Sequence, residues 1–192
     1  MNIAVFASGT GSNFAAILQA IKAEQIKNVE VVLLVSDYPE ALAVQKAKDE
    51  HIPVFAFKAK DYPDKQAYEK RILEKLKERR VDVIVLAGYM RLIGDVLLQA
   101  YGGKIINVHP SLLPAFKGKD AIGQALDYGV KVTGVTVHFV DEGMDTGPII
   151  AQRVVKIDKD ETRETLMKKI QEQEHRLLPQ VIQSLANKET VQ

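Results

Sequence analysis

The sequence predicts an α/β fold built on a doubly wound, mostly parallel sheet. Short apolar runs alternate with helical patterns from the N-terminus onwards, which is typical of strands joined by crossover helices. The runs at residues 3–7 (IAVFA) and 81–87 (VDVIVLA) are mainly apolar, as expected of strands buried on both faces. Residues 131–140 alternate polar and apolar side chains, which predicts a half-exposed antiparallel strand near the C-terminus, ahead of a long terminal helix.

The remaining elements follow from the same periodicities. After the first strand and its glycine-rich turn, apolar residues recur at helical spacing, with Ser12 or Asn13 as the expected cap. Residues 64–80 combine charged positions with a narrow apolar stripe, which predicts a solvated amphipathic helix. Pro110 and Pro114 predict an irregular loop after the fifth strand. Further strands are expected at residues 30–36, 53–57, 104–108 and 149–157, and further helices at 40–50, 94–101, 120–128 and 162–185.

The composition excludes several classes of structure and function. With 192 residues, of which 46% are hydrophobic, the chain can build a sizeable core, and wholesale disorder is excluded. A formal charge of +1 provides no electrostatic reason to expect nucleic acid or an anionic membrane as a partner. The absence of cysteine excludes disulfides and thiolate nucleophiles. Since no secretory signal and no apolar run near the ~20 residues of a membrane helix is evident, we expect a single cytoplasmic domain over residues 1–192.

Ligands of such a sheet bind at the carboxyl ends of its strands, so residues 8–13, 88–93 and 107–110 are expected along one edge. The first of these, the glycine loop (residues 8–13, SGTGSN), begins like a dinucleotide-binding fingerprint, but Phe14 replaces the third glycine. The amides at positions 11–13 open a helix whose dipole favours negative charge. A single phosphate monoester therefore fits the loop better than NAD or FAD, and a strand-to-helix turn without a ligand is the alternative.

The most informative stretch is residues 107–114 (NVHPSLLP). Strand alternation places Asn107 and His109 on one side at the carboxyl end of a strand. A carboxamide next to an imidazole offers hydrogen-bond donors to a carbonyl oxygen that gains negative charge. Asp145, in a glycine-punctuated loop, could bring a carboxylate to His109 and keep the ring protonated as a general acid. His138 is a further polar candidate on the later strand.

Each of these residues also has a purely structural interpretation. A single histidine at a strand end is more often a structural hydrogen-bonding group, and Asp145 by itself could be a turn former. Ser111 lacks the Gly-x-Ser-x-Gly elbow of a hydrolase nucleophile, so we reject that role. No cluster of His, Asp and Glu has the spacing of metal ligands, and no metal is expected.

In combination, four segments closely resemble the phosphoribosylglycinamide formyltransferase family, the folate-dependent enzymes of purine biosynthesis. The segments are residues 8–13 (SGTGSN), 87–91 (AGYMR), 107–114 (NVHPSLLP) and 145–148 (DTGP). The resemblance extends to the terminal helix, including residues 171–175 (QEQEH). The 107–114 segment alone would indicate only the wider group of enzymes that use 10-formyltetrahydrofolate. The glycine loop and the short length narrow the resemblance to the enzymes that act on glycinamide ribonucleotide.

The resemblance implies a Rossmann-like formyltransferase fold and a role for each motif. It implies that the glycinamide ribonucleotide is bound through its 5′-phosphate and its ribose-glycinamide portion by Gly11, Ser12, Asn13, Gln171 and Glu174. The family's catalytic residues match Asn107, His109 and Asp145. The positions that match the family's folate-binding residues are Lys65, Met90, Arg91, Leu92, Ile93, Asn107, Val140, Asp141 and Asp145. Lys65 stands where relatives often carry arginine, and Asp120 lies in a loop where members carry histidine, so contacts at both positions are open.

The resemblance further implies direct formyl transfer from 10-formyltetrahydrofolate, as co-substrate, to the glycinamide amine through a tetrahedral intermediate, without a metal. The oligomeric state is left open, with a homodimer as one option. A 10-formyltetrahydrofolate hydrolase is an alternative, although it usually carries an additional N-terminal domain. A methionyl-tRNA formyltransferase would need an RNA-binding extension and a basic surface. A non-catalytic nucleotide-binding module or a nicotinamide-dependent oxidoreductase would leave Asn107, His109 and Asp145 unexplained.

Overall fold

Seven strands form one sheet in the computed structural model of the protein, which describes residues 1–188. The strands are β1 (Asn2–Phe6), β2 (Glu30–Ser36), β3 (Val54–Ala56), β4 (Val83–Leu86), β5 (Ile105–His109), β6 (Val132–Phe139) and β7 (Ile149–Lys156). The helices are α1 (Ser12–Lys22), α2 (Leu42–Asp49), α3 (Lys65–Glu78), α4 (Asp95–Tyr101), α5 (Ala121–Tyr128) and α6 (Arg163–Asn187). A short 3-10 turn at Ala59–Asp61, which the sequence analysis does not predict, precedes α3.

The strands lie in the order β3-β2-β1-β4-β5-β6-β7, and the first five run parallel. From β1 the chain winds outwards in both directions, through β2 and β3 on one side and through β4 and β5 on the other. This reversal leaves a crevice at the carboxyl ends of β1 and β4, where ligands of doubly wound sheets bind. The glycine loop follows β1 and residues 88–93 follow β4, so the predicted fold class and edge are confirmed.

Side chains of the parallel strands alternate between two apolar layers. Ile3 and Val5 belong to the layer under α1, α2 and α6, whereas Ala4 and Phe6 belong to the layer under α3 and α4. Because helices cover both faces, nearly every position of these strands is apolar. This arrangement explains why the first strand reads as an unbroken apolar run.

The antiparallel direction of β6 is confirmed, but the prediction that β6 is half-exposed is wrong. Residues 133–138 are all buried, because Val135 and Val137 pack into the layer that contains α6. The loop after β5 covers the opposite face, where a Cβ atom on Gly134 would lie 2.6 Å from Leu112 Cδ2. The alternation of polar and apolar residues in β6 therefore separates an apolar layer from a polar, covered one, and not the interior from solvent.

The ends of two helices bear on the site. Gly11 caps α1 without a side-chain cap, so the expected Ser12 or Asn13 cap is wrong, and Asn13 instead faces α6. Helix α6 begins at a reciprocal capping box between Thr162 and Thr165 and runs for 25 residues. The predicted long terminal helix is therefore confirmed. No helix within residues 1–188 is both long and apolar enough to cross a membrane.

Candidate active site

The glycine loop turns sharply between β1 and α1. Gly11 has a left-handed conformation (φ 69°), and a Cβ atom there would lie 2.8 Å from the Cβ of Ala43. Only glycine therefore lets the loop pass this close to α2. Lys46 Nζ ties the loop to α2 by donating to Thr10 O at 2.8 Å. The first N–H groups of α1 have no partner within the helix, so they suit an anion.

Helix α6 meets the glycine loop through Glu174. Asn13 Nδ2 donates to Glu174 Oε2 at 2.9 Å, and both side chains are buried. Burial raises the pKa of Glu174 to about 7, although the bond from Asn13 opposes that rise. Gln171 lies one turn earlier on α6. The Oδ1 atom of Asn13 is buried and makes no hydrogen bond within the described chain, so this end of the loop offers an unused acceptor.

Asn107 and His109 lie on one face of β5, as their spacing predicts. The antiparallel register places His138 opposite Asn107 and Thr136 opposite His109, so four polar side chains share this face. His138 Nδ1 lies 2.7 Å from Phe139 O and therefore donates to it, because a carbonyl oxygen can only accept. His138 Nε2 lies 3.2 Å from Asn107 Nδ2, and this contact holds the amide beside the ring.

Asp145 reaches the same face from the hairpin loop at residues 140–148, which joins β6 to β7. Its Oδ2 atom lies 3.5 Å from His109 Nδ1, and its Oδ1 atom lies 3.7 Å from His138 Nε2. Burial by itself would raise the pKa of Asp145, but the His138 ring, the Gly118 N–H and the His109 ring hold it below its ordinary value. The carboxylate is therefore charged at neutral pH beside the His109 ring.

The loop that follows β5 closes over His109. The Nε2 atom of His109 lies 2.8 Å from Phe116 O, so both ring nitrogens face hydrogen-bond acceptors. A ring protonated on both nitrogens satisfies both acceptors. Thr136 fixes the start of this loop, because its Oγ1 atom donates to Ser111 O at 2.7 Å and accepts from Leu113 N at 3.0 Å.

A cavity, called here the Tyr68 cleft, opens beside residues 88–93 and has a volume of about 520 Å³. It is lined by Ala59, Tyr62, Pro63, Asp64, Lys65, Tyr68, Met90, Arg91 and Leu92. Phe57 stacks on Tyr68 with ring centroids 5.0 Å apart and meets Tyr62 edge-on at 6.0 Å. An aromatic cluster therefore supports a cleft whose rim carries the basic groups of Lys65 and Arg91.

Four of the expected folate-binding residues line the Tyr68 cleft, namely Lys65, Met90, Arg91 and Leu92. The other expected residues lie outside its lining. Ile93 is buried, and Val140 packs against the same apolar layer. Asp141 is exposed and shapes its own loop by accepting from Gly143 N and Thr146 Oγ1. Asp120 caps α5 and pairs with Arg163, so the structure gives it a helix-joining contact.

Several groups that contact the predicted site residues are not predicted from the sequence. The Phe116 carbonyl and the Gly118 N–H carry no sequence signal, because any residue supplies the same backbone atoms. Asp37 and Glu69 were also missed, although each accepts a hydrogen bond from the segment that borders the Tyr68 cleft. An aspartate immediately after β2, at the same sheet edge, was the one available signal for Asp37.

Comparison with known proteins identifies the class to which this fold and site belong. The family profile described as formyl transferase matches residues 1–182, and the chain belongs to that family. Within it, the chain is 58% identical to phosphoribosylglycinamide formyltransferase of Bacillus subtilis, over 95% of this chain and 93% of the relative. Its particular family is therefore the phosphoribosylglycinamide formyltransferases, in agreement with the resemblance seen in the motifs.

Solved structures give the same family. The crystal structure of phosphoribosylglycinamide formyltransferase from Bacillus halodurans has a TM-score of 0.94 and 55% identity, with 98% of this chain and 96% of that chain covered. The glycinamide ribonucleotide transformylase 1 from Geobacillus kaustophilus has a TM-score of 0.94 and 57% identity, with 96% and 98% covered. The likeness extends over essentially the full length of each chain.

Proposed function

We propose that this enzyme transfers the formyl group of 10-formyltetrahydrofolate to the glycinamide amine of phosphoribosylglycinamide, as the names of its relatives indicate. The observation that carries the proposal is the meeting of Asn107, His109 and Asp145 from β5 and the hairpin loop. These groups are a neutral donor, a ring with two acceptors around it and a charged carboxylate. The proposed reaction takes place in the cytoplasm, and the partners of the enzyme are its small-molecule substrates.

In the proposed reaction the glycinamide nitrogen attacks the formyl carbon and a carbon–nitrogen bond forms. The formyl oxygen gains negative charge and accepts hydrogen bonds from Asn107 and protonated His109, each of which is worth roughly 3–4 kcal/mol when well aimed. The bond from the formyl carbon to N10 of the folate then breaks. The proton lost by the amine reaches N10 through water near Asp145, so protons and electrons balance.

This mechanism requires one local rearrangement. The Nε2 atom of His109 is occupied by Phe116 O at 2.8 Å, while Nδ1 faces Asp145. The substrate oxygen replaces the Phe116 carbonyl as the acceptor from Nε2. The exchange leaves the contact between Nδ1 and Asp145 in place, so the ring keeps its orientation as the oxyanion forms.

The two ligands approach from opposite sides of this group. The phosphate of the acceptor is bound by the amides of Gly11, Ser12 and Asn13, and Glu174 with Gln171 contacts the ribose-glycinamide portion. The folate lies along the Tyr68 cleft, with its acidic tail near Lys65 and Arg91. Met90, Leu92 and Ile93, together with Val140 and Asp141, border its ring system.

The test measures the loss of 10-formyltetrahydrofolate with and without phosphoribosylglycinamide. Acceptor-dependent loss, with one formylated product for each folate consumed, supports the transfer. Equal loss in water alone would identify a hydrolase and overturn the proposal. Glycine methyl amide, which lacks the ribose phosphate, serves as the matched acceptor control and should react poorly because it cannot use the glycine loop.

A further inference from the structure

The segment at residues 90–94 holds an irregular conformation at the rim of the Tyr68 cleft. Within residues 1–188, positions 89–93 make no backbone–backbone hydrogen bond. The side chains of Met90 and Leu92 in this segment extend into solvent, with 78% and 55% of their surface exposed. An irregular backbone without partners of its own needs side-chain anchors to keep one conformation. The structure supplies two carboxylates at the two ends of this segment.

The first anchor is Asp37, which directly follows β2. Its Oδ1 atom accepts from Ser8 Oγ at 2.5 Å, and its Oδ2 atom accepts from Arg91 Nε at 2.9 Å. Ser8 Oγ in turn accepts from Met90 N at 2.9 Å. The guanidinium of Arg91 also lies 5.8 Å from the centre of the Tyr68 ring. Asp37 therefore fixes the backbone of Met90 through Ser8 and the side chain of Arg91 directly.

The second anchor is Glu69 on α3, whose side chain is almost completely buried (2% exposed). Its Oε1 atom accepts from Gly94 N at 2.7 Å, at the N-cap of α4. A Cβ atom on Gly94 would lie 2.8 Å from Glu69 Oε2, so the backbone passes directly over the carboxyl group. Lys65 lies one turn earlier on the same helix, in the wall of the cleft.

We propose that Asp37 and Glu69 are positioning residues for the folate substrate. They hold the two ends of the 90–94 segment so that Met90 and Leu92 present a preformed apolar edge to the folate rings, and Arg91 presents its charge to the acidic tail. This inference rests on the proposed function. Neither carboxylate contacts the reacting atoms, so their loss weakens binding of the folate and leaves the chemical step intact.

Three substitutions separate positioning from general stability. Asp37→Asn leaves one acceptor for two donors, since the amide nitrogen cannot accept from Ser8 or Arg91. Glu69→Ala removes the acceptor for Gly94 N. Glu69→Gln retains a carbonyl oxygen that can accept from Gly94, so it should rescue the alanine variant. The matched controls are Asp49→Asn on α2 and Glu78→Ala on α3, both exposed and remote from the cleft.

The experiment measures steady-state kinetics for both substrates, with the dissociation constant of 10-formyltetrahydrofolate determined by calorimetry. Asp37→Asn and Glu69→Ala should raise the folate KM and dissociation constant about tenfold. The kcat and the acceptor KM should stay within about twofold of the native enzyme, and Glu69→Gln should recover to within about threefold. Native-like folate affinity in both variants, or an equal loss of affinity for both substrates, would overturn the inference.

The outcomes also separate this inference from the proposed function. If the native enzyme shows no acceptor-dependent transfer, the proposed function fails, while calorimetric folate binding still tests the two carboxylates. If either variant does not fold, as judged by circular dichroism, Ser8→Ala provides the measurement. That variant removes the acceptor for Met90 N and leaves the Asp37–Arg91 pair intact, and unchanged folate affinity in it would count against the inference.

Discussion

Asn107 and His109 lie two positions apart on β5, and this spacing places both side chains on the face where we propose that they contact one atom of the substrate. Replacing His109 with alanine removes the charged donor proposed for the oxyanion. We expect kcat to fall about 100- to 1,000-fold, with the acceptor KM within about twofold, because the glycine loop is untouched. Stopped-flow or steady-state absorbance of the folate product measures both values.

His51→Asn is the control for this prediction. His51 is exposed on a turn after α2 with a positive φ of 55°, a conformation that asparagine tolerates. Its kinetics should match those of the native enzyme. Near-normal turnover in His109→Ala would instead show that the histidine is structural, the interpretation that its sequence context leaves open.

Glu174 makes the stability of the protein depend on pH. Its folded pKa, about 7, lies above the ordinary value of 4.5, so the folded state binds more protons than the unfolded state between these values. The free energy of unfolding contributed by Glu174 is therefore lost as the pH rises from about 4.5 through 7. Glu174→Gln should remove this loss and stabilise the protein above pH 7 by up to roughly 3 kcal/mol.

Urea denaturation at pH 5 and pH 8 measures the effect, with Glu172→Gln on the exposed face of α6 as the control. The glutamine should also weaken the binding of the acceptor while stabilising the fold. An identical pH dependence of stability in Glu174→Gln and in the native protein would contradict the prediction. Such opposite effects on stability and binding are typical of a buried charged group retained at a functional site.

The placement of a site residue could be predicted where that residue lies on a regular strand. Asn107 and His109 share a face because strand alternation fixes it, whatever the rest of the chain does. Asp37 and Glu69 were not predictable in the same way. Their partners Arg91 and Gly94 are 54 and 25 residues away in sequence, and only the assembled sheet and the packing of α3 on α4 bring them together.

Among the elements, the turn from β1 to α1 is the most sensitive to change. Gly11→Ala would introduce a left-handed alanine and a 2.8 Å contact with the Cβ of Ala43. We expect a loss of at least about 2 kcal/mol in the free energy of unfolding, since the conformation alone costs roughly 1–2 kcal/mol. Acceptor binding should weaken as well, because the amides at the start of α1 would shift.

Gly9→Ala, two positions earlier, is the matched control for stability. A Cβ atom at Gly9 would meet nothing within 4 Å, so the substitution should change the free energy of unfolding by less than about 0.5 kcal/mol. Chemical denaturation of both variants measures the difference. Equal stability of the two variants would mean that the loop can relax away from α2.

The limits of sequence-based prediction at this scale are visible in β6. Its polar and apolar alternation predicts a strand correctly, yet it does not reveal that the loop after β5 covers the polar face. The bounds of the other strands agree within one or two residues, and in the central parallel strands, which are buried on both faces, a mainly apolar run carries the signal. Loop contacts such as that of Phe116 with His109 have no such local signal.

The molecule as a whole shows why its net charge of +1 is compatible with two anionic substrates. In the proposed function charge is supplied locally, by the start of α1 at the proposed phosphate site and by Lys65 and Arg91 at the proposed folate site. The parallel half of the sheet provides the crevice between β1 and β4. The antiparallel half supplies Asp145 through a hairpin loop that folds back over β5, a position that the strand-end rule for parallel sheets does not anticipate.

The aromatic cluster beneath the Tyr68 cleft has an optical consequence. The protein contains six tyrosines and no tryptophan, and Tyr62 and Tyr68 both line the cleft. Ultraviolet emission therefore comes from tyrosine alone, and two of the six emitters stand where the folate is proposed to bind. The native protein thus carries its own spectroscopic probe, since a pteridine that absorbs in the tyrosine emission range would quench these two rings without any added label.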